Sequence, residues 1–344
     1  MSRHHKIYLA ITVILVAVIL LLIGLLKGFA PSKLVNTNDN QVVASSTTSI
    51  IHPLSGIVET DFAPFFPIAV MIDNAYNIRP QTGLEQADII YEALAESHIT
   101  RLLAIFDSQK IVEKVGPIRS ARPYFMDWAE EYAGLYMHVG GSPQALSKIQ
   151  DYNFINIDQI GAGEIYFWRD QKLKAPSNVF TSNANWLRAG EMKTAKKIST
   201  SSSAALAWNF VAPAATTSTV ANQEISIDYS VDFYKVEWRY SDTLGAYQRW
   251  QNNEKFIYSN GQQALAHNVI IQIAPSSLVD TERRSIDTTK GGQVFIFNSL
   301  GKQEGQWKYI NGRTRFMSDD GSELKLVSGK TWIQIVDDLE QIKF

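Results

Sequence analysis

The sequence predicts an N-terminal transmembrane helix, then a layered α/β domain, then a small antiparallel β-rich domain. Three observations support this fold class. An uncharged apolar run lies near the start of the chain, strand and helix patterns alternate to about residue 190, and strand patterns dominate the remainder. The predicted regions are a cytoplasmic tail and membrane anchor at 1–30, a flexible linker at 31–50, the α/β domain at 51–190, an irregular linker at 191–223 and the β-rich domain at 224–344.

The apolar run covers residues 7–26, IYLAITVILVAVILLLIGLL, and is long enough to cross a bilayer as a helix. Arg3 and Lys6 precede it and Lys27 follows it, so the positive-inside rule places the N-terminus in the cytoplasm and the rest of the chain outside. A cleaved signal peptide is the alternative, but its apolar run is normally shorter, and Pro31 makes a poor cleavage site. We therefore expect a single-pass protein of the cell membrane, anchored in the lipid bilayer through residues 7–26.

Composition removes several classes of site. The 344 residues contain no cysteine, which excludes disulfides, thiolate catalysis, cysteine zinc sites and a lipidated-cysteine anchor. The formal net charge is −2, so no global positive field indicates a nucleic-acid partner. The six histidines are scattered, and none of them pair at the spacing of metal ligands.

Strand and helix signals alternate within the predicted α/β domain. The run IAVMID at 68–73 predicts a buried strand. The stretches ADIIYEALAES and HITRLLAIFD fit either a helix followed by a strand or a β-hairpin, and their β-branched residues favour the hairpin. A helix is predicted after Pro123, a strand at 135–139, and a second helix with Ser142 as its N-cap and Pro143 at its first position.

Strand signals dominate after residue 223. The runs DFYKVEWRY, NVIIQI, QVFIFN and TWIQIV are apolar or alternate between apolar and polar residues. Turn dipeptides separate such runs: Asn260-Gly261, Asn311-Gly312, Asp320-Gly321 and Ser328-Gly329. This pattern predicts a small antiparallel β domain.

Four arginines lie at predicted element ends: Arg79, Arg101, Arg119 and Arg122. Guanidinium groups bind phosphate or carboxylate through two donors, and a helix N-terminus adds free N–H groups and partial positive charge. We therefore expect these arginines to form an anion pocket above the sheet. Pairing of each arginine with a nearby acid is the alternative, and a charge network that only fixes the fold is the alternative for the whole group.

Two further stretches are candidates for the same pocket. Gly140, Gly141 and Ser142 precede the second helix, and glycine lets the backbone approach a ligand closely. Arg169 lies in FWRDQKLKAPSNVF, whose aromatic and basic residues fit a ligand rim or a solvated loop equally well. Catalytic residues stay unassigned, because no nucleophile elbow, phosphate loop or dinucleotide motif is present.

Long motifs between residues 52 and 344 resemble one family. They are HPLSG, AVMIDNAYNIRPQTGLEQADIIYEALAESHITRLLAIF, VGPIRSARPYFMDWAEEYAGLYMHVGGSPQAL, FWRDQKLKAPSNVFTS, EGQWKY and TRFMSDDGSELKLVSGKTWIQIV. They closely resemble the YerB-like envelope lipoproteins, whose domain is of unknown function (DUF3048). The resemblance implies a two-domain extracytoplasmic protein and no established activity. The family's usual anchor is a lipidated cysteine, and a histidine commonly follows KAP, where this chain has Ser177.

A looser resemblance is to the LytR–CpsA–Psr enzymes, which move polymers from polyprenyl pyrophosphate onto the bacterial wall. The residues that carry it are Arg79, Asp88, GPIRSAR and HVGGSPQAL, in that order, although the spacing differs. In that family arginines hold the pyrophosphate and acids help to hold magnesium. The resemblance implies that Arg79, Arg119 and Arg122 bind phosphates and that Asp73 or Asp88 faces Mg²⁺.

Three functions are therefore left open. The favoured one is a non-catalytic module of the cell envelope that binds a cell-wall component or an envelope protein such as a peptidoglycan synthase. The second is a LytR–CpsA–Psr-like phosphotransferase or polyprenyl-phosphate binder that uses the arginines. The third is a purely structural charge network without a ligand.

Overall fold

The computed structural model describes residues 49–199, 202–212, 224–229 and 232–344. Up to residue 212 the strands are β1 (Ile50–Ile51), β2 (Val58–Glu59), β3 (Pro67–Asp73), β4 (Ile89–Glu96), β5 (Ile99–Asp107), β6 (Leu135–His138), β7 (Ile155–Asp158), β8 (Trp168–Arg169), β9 (Val179–Phe180) and β10 (Phe210–Val211). The α-helices are α1 (Pro123–Glu130), α2 (Pro143–Lys148), α3 (Gln159–Ala162), α4 (Asn183–Met192) and α5 (Ser203–Leu206).

The later part of the described chain is made of strands. These are β11 (Glu224–Asp228), β12 (Lys235–Ser241), β13 (Ala246–Gln251), β14 (Glu254–Lys255), β15 (Leu265–Ala266), β16 (Asn268–Ile273), β17 (Ser276–Leu278), β18 (Arg284–Ile286), β19 (Gly292–Asn298), β20 (Gly301–Ile310), β21 (Arg313–Met317), β22 (Leu326–Val327), β23 (Thr331–Val336) and β24 (Ile342–Lys343). Single-turn 3-10 helices lie at Tyr76–Ile78, Leu84–Gln86, Ile149–Asp151, Gly163–Ile165, Asp232–Tyr234 and Leu339–Gln341.

A ten-stranded sheet forms the centre of the described structure, in the order β21-β20-β19-β16-β23-β4-β5-β3-β6-β7. The strand β23 is parallel to both of its neighbours, with Thr331 paired to Asn268 on β16 and to Ile89 on β4. The strands β4 and β5 form an antiparallel hairpin, and β3 is antiparallel to β5. Strands from both predicted domains therefore belong to one sheet.

Each face of the central sheet packs on a different layer, because successive side chains of a strand point to opposite faces. Ile68, Val70 and Ile72 of β3 join a core that contains Val236 and Trp238 of β12. That strand belongs to a second antiparallel sheet, ordered β14-β13-β12-β11-β24, in which β15 also pairs with β13.

The opposite face of the central sheet is covered by helical residues. Ala69 and Met71 of β3 lie in a core that contains Phe125, Trp128 and Ala129 of α1. The helix α1 has Pro123 in its first turn, where the missing N–H costs nothing.

Several short sequence patterns adopt the local structures that they predict. The buried strand at 68–73 and the β4–β5 hairpin are confirmed. The Ser142 hydroxyl accepts from the Ala145 N–H at 3.2 Å, which confirms it as the N-cap of α2. Asn311 and Gly312 have φ values of 51° and 80° and join β20 to β21 as a two-residue turn.

The predicted fold class is wrong. The described structure is β-rich with a few short helices, and it is not a layered α/β domain followed by a separate antiparallel domain. The run TWIQIV is β23, every residue of which is buried, as a central strand requires. Its parallel partners are remote in sequence, so the run alone could not reveal them.

The predicted membrane-spanning helix is not supported by the described structure. None of the helices in the described residues is long and apolar enough to cross a membrane. The predicted helix at 7–26 lies outside the described residues, as do residues 31–48 of the predicted linker. The described part of the predicted linker at 191–223 contains α5 and β10.

Candidate functional site

The segment GPIRSA crosses the carboxyl ends of β3 and β6. The Arg119 N–H donates to the Met71 carbonyl at 3.0 Å, and the Val139 N–H donates to the Arg119 carbonyl at 3.1 Å. The Ala121 N–H donates to the Gly140 carbonyl at 2.9 Å. The backbone of this segment therefore fixes its side chains at the carboxyl ends of the parallel strands β3 and β6.

Arg119 is anchored to Asp73 at this edge. Its Nε lies 3.2 Å from Asp73 Oδ2, and the Ser177 hydroxyl donates to the same oxygen at 2.6 Å. Asp73 Oδ1 accepts from the Ala75 N–H at 2.9 Å, and Asp73 is only 3% exposed. The terminal nitrogens of Arg119 make no hydrogen bond with described residues, and its side chain is 24% exposed. Arg119 can therefore still face a ligand.

Arg101 and Arg122 share one carboxylate. Arg101 Nη2 donates to Glu96 Oε1 at 2.8 Å and Oε2 at 2.9 Å, and Arg122 Nη2 donates to Glu96 Oε1. Burial raises the pKa of Glu96, but the charges of Arg101 and Arg122 outweigh it and leave the pKa below its ordinary value. Burial and then the like charge of Arg101 lower the pKa of Arg122. Arg101 and Arg122 therefore belong to a structural network around the Glu96 carboxylate.

Arg79 lies on the other face of the sheet. Arg79 donates to the side-chain oxygen and to the carbonyl oxygen of Asn74. The side-chain amide of Asn74 donates to Glu92. The preceding residue, Asp73, points to the opposite face, which α1 covers. The Arg79 guanidinium carbon lies 5.4 to 5.7 Å from three ring centroids: Tyr76, Tyr234 and Phe256. Burial, followed by repulsion from Arg249, lowers the pKa of Arg79 to about 10. The sheet therefore separates Arg79 from Arg101 and Arg122.

The two candidate metal ligands do not meet. In the strand register Asp73 on β3 lies opposite Arg101 on β5, and Arg101 lies opposite Ala93 on β4. Asp88 directly precedes the first residue of β4. The two aspartates are thus separated by about 15 Å of strand. Asp88 Oδ1 accepts from Lys110 Nζ at 2.5 Å. Within the described residues no three acidic or histidine side chains could hold one metal ion.

The glycine-rich stretch and Arg169 are occupied by protein partners. The Gly140 N–H donates to Asp158 Oδ1 at 2.7 Å, and the Ser142 N–H donates to the Ala121 carbonyl at 3.2 Å. Gly141 forms a parallel bridge with Ala121. Arg169 donates to Asn178 Oδ1 at 2.7 Å and to Gln159 Oε1 at 3.2 Å. These residues support the walls around the segment GPIRSA.

A cleft of about 380 Å³, here called the basic cleft, lies beside Arg79. Three loops enclose it, and each contains a cis X-Pro bond: Arg79-Pro80, Gly116-Pro117 and Ala175-Pro176. Its lining residues are Asn77, Ile78, Arg79, Pro80, Thr82, Lys114, Pro117, Lys172, Leu173, Lys174, Ser177 and Phe180. The stretch FWRDQKLKAPSNVF, for which a ligand rim was one of two interpretations, supplies Lys172, Lys174 and Phe180 to it, but its position beside Arg79 was not predicted.

Lys114 is the lysine of the basic cleft that forms an ion pair with a described carboxylate. Lys114 Nζ lies 2.6 Å from Asp170 Oδ2 and 4.1 Å from the centroid of the Phe180 ring. Lys172 and Lys174 are exposed and form no ion pair with a described residue. Ser177 connects the wall of the cleft to Asp73 and, through it, to Arg119.

A serine, a histidine and an aspartate also meet in the turn HPLSG. Ser55 Oγ lies 3.2 Å from His52 Nδ1, and His52 Nε2 lies 3.1 Å from Asp107 Oδ2. Ser55 is only 5% exposed, and its oxygen accepts from the Ile57 N–H at 3.4 Å. A nucleophile must reach its substrate, so this set fixes the turn and is not a hydrolytic triad.

Comparison with known proteins gives one consistent match. The chain matches a family described as "Protein of unknown function (DUF3048)", with the N-terminal domain at residues 54–197 and the C-terminal domain at 225–333. The putative lipoprotein YerB of Bacillus subtilis (strain 168) is 32% identical over 314 residues, which cover 89% of this chain and 92% of that protein. The crystal structure of the YerB protein from Bacillus subtilis gives a TM-score of 0.75 at 32% identity, covering 85% of this chain and 98% of that chain.

Proposed function

This chain belongs to the YerB-like DUF3048 family, and we propose that it is a non-catalytic binding protein of the cell envelope. In this proposal the basic cleft holds an anionic group of a cell-wall component. The relationship to a putative lipoprotein supports an envelope-associated protein on the extracytoplasmic side of a membrane.

The charge of the basic cleft is the observation that carries the proposal. Arg79, Lys114, Lys172 and Lys174 line it, Lys114 forms an ion pair with Asp170, and Lys172 also interacts with that single carboxylate, so the four cations outnumber it. Cations gathered without matching carboxylates repel one another, and a bound phosphate or carboxylate relieves that repulsion. The phosphates and carboxylates of wall polymers have the required charge.

Phosphoryl transfer is not part of the proposal. Arg101 and Arg122 bind Glu96, Arg79 lies on the opposite face of the sheet, and Asp73 and Asp88 lie at opposite ends of it. A pyrophosphate clamp needs its arginines and its metal ligands around one ligand. The described side chains do not supply that arrangement.

Co-sedimentation of the full chain with purified insoluble cell-wall material tests the proposal. Replacing Lys172 and Lys174 together by alanine should weaken binding about tenfold, since charge-assisted contacts are lost. The matched control replaces Lys308 and Lys325, two exposed lysines outside the cleft, and should bind as the wild type does. Binding that ignores the cleft lysines, or that falls equally in the control, would show that the basic cleft is not the binding site.

A further inference from the structure

A second cavity lies on the other side of the turn at residues 77–80, which forms one wall of the basic cleft. It has a volume of about 360 Å³ and is here called the aromatic groove. Its lining residues are Tyr76, Asn77, Arg79, Pro80, Gln251, Glu254, Lys255, Phe256 and Ile257. Asn77, Arg79 and Pro80 line both cavities, so only this turn separates them. One ligand of moderate length can therefore occupy both.

Tyr76 lines the aromatic groove, and both Tyr76 and its neighbour Phe233, which does not line the groove, are exposed to solvent. Tyr76 is 47% exposed and Phe233 is 50% exposed, although large aromatic residues usually gain stability from burial. Their ring centroids lie 4.6 Å apart, with an angle of 40° between the ring planes. At this separation Phe233 packs against Tyr76 and supports it, and the exposed part of Tyr76 offers an apolar surface to a ligand ring in the groove.

Polar groups line the groove beside these rings. The side chains of Asn77 and Glu254 are exposed and make no hydrogen bond with described residues. A carboxamide donates and accepts, and a carboxylate accepts at two oxygens. Apolar rings beside unused donors and acceptors match a pyranose, which has an apolar C–H face and a rim of hydroxyl groups.

The position of Arg79 connects the two cavities chemically. Its guanidinium is held against the rings of Tyr76 and Tyr234 and forms no ion pair with a described carboxylate. An anionic group attached to a sugar in the aromatic groove would meet Arg79 first and then the lysines of the basic cleft. An arginine fork binds such a group with two donors.

We propose that the aromatic groove and the basic cleft together bind an anionic saccharide. The sugar ring lies against Tyr76, which Phe233 supports; its phosphate or carboxylate lies among the lysines of the cleft, and Arg79 lies between them. This inference rests on the proposed function, since it names the ligand class of the same basic cleft.

Titration calorimetry of the full chain with four probes tests the inference. The probes are N-acetylglucosamine 1-phosphate, N-acetylmuramic acid, neutral N-acetylglucosamine and inorganic phosphate. At least one anionic sugar should bind about tenfold more tightly than neutral sugar or inorganic phosphate, because it uses both cavities. The tighter of the two anionic sugars identifies the charged group as phosphate or carboxylate.

Two double variants separate the contributions of the cavities. Replacing Tyr76 and Phe233 by alanine should weaken the anionic sugar about tenfold and leave inorganic phosphate unchanged. Replacing Lys172 and Lys174 by alanine should weaken both ligands. Tyr309→Ala, which removes an exposed ring outside both cavities, is the control and should bind every probe as the wild type does. Thermal unfolding of each variant verifies that the fold is retained.

The outcomes distinguish this inference from the function on which it rests. If the variant with alanine at Tyr76 and Phe233 binds the anionic sugar as tightly as the wild type does, this inference is wrong, but the proposed anion site in the basic cleft is retained. If the lysine variant binds every anionic probe normally, the proposed function fails as well. Binding of the neutral sugar alone, or of no probe up to about 10 mM, overturns both proposals.

Discussion

Arg249 and Glu92, which are 157 residues apart in the sequence, form a completely buried ion pair. Arg249 Nη2 lies 3.0 Å from Glu92 Oε1 and 2.9 Å from Oε2, and both side chains have zero exposure. Trp332 Nε1 also donates to Glu92, at 3.1 Å. The pair connects β4 of the central sheet with β13 of the second sheet.

Replacing Arg249 by methionine should destabilise the protein by about 3–5 kcal/mol, because Glu92 would remain buried without its cation. Urea unfolding of both proteins measures the difference. Arg239→Met on β12 is the matched control, since the pair between Arg239 and Glu237 is 42% exposed on the arginine side. The control should lose about 1 kcal/mol or less. Equal losses in both variants would show that the burial of Arg249 has no special effect.

Replacing Glu96 by glutamine should destabilise the protein at pH 7 by about 1–3 kcal/mol, because Arg101 and Arg122 lose their shared carboxylate. The pKa of Glu96 lies below 4.5 in the folded protein, so this stabilisation is complete above pH 4.5 and is lost as the pH falls through the folded pKa. Unfolding free energies at several pH values should therefore converge in acid. A difference that is independent of pH would contradict the ion-pair account.

Replacing Glu131 by glutamine should have the opposite dependence on pH. Burial raises the pKa of Glu131, although Arg313 and the hydrogen bonds from Thr314 oppose the rise. The native state therefore holds this proton more tightly than the unfolded state does. That stabilisation is complete below pH 4.5 and is lost as the pH rises through the folded pKa. Relative to the wild type, the glutamine variant should gain stability with rising pH in denaturant melts, and a flat difference would refute this.

Replacing Asp73 by asparagine should change affinity and stability in opposite directions. Arg119 would lose its counter-ion, and the positive potential behind the wall of the basic cleft would increase. Calorimetry should show phosphate binding about threefold tighter, while urea melts should show a loss of about 1–3 kcal/mol. Phosphate affinity that falls or stays constant in the folded variant would show that Arg119 does not act on the cleft.

Local chemistry explains which parts of the fold could be predicted. Ser142 needs only the Ala145 N–H three residues later, and the Asn311-Gly312 turn needs only its own backbone angles. The β4–β5 hairpin likewise joins neighbouring segments. In each of these cases the interacting atoms are close in sequence, so the residue pattern contains the required information.

Contacts between residues that are distant in the sequence explain which features of the site could not be predicted. Arg79, Arg101, Arg119 and Arg122 look equivalent in the sequence, but they lie on different elements and meet different partners, and only Arg101 is on a strand. Arg101 and Arg122 meet Glu96, whereas Arg79 meets rings contributed by Tyr234 and Phe256, far along the chain. The meeting of Arg79 with Lys172 and Lys174 in the basic cleft was not predicted for the same reason, since three separate loops form the cleft.

The parallel pairing of β23 with β4 also affects how the chain is made. Ile89 is paired with Thr331, so one long edge of β4 stays unpaired until nearly the whole chain has left the ribosome. An unpaired strand edge is a template for aggregation, and contacts between residues so distant in sequence slow folding. We therefore expect the nascent first half of the chain to depend on chaperones until the C-terminal strands are synthesised.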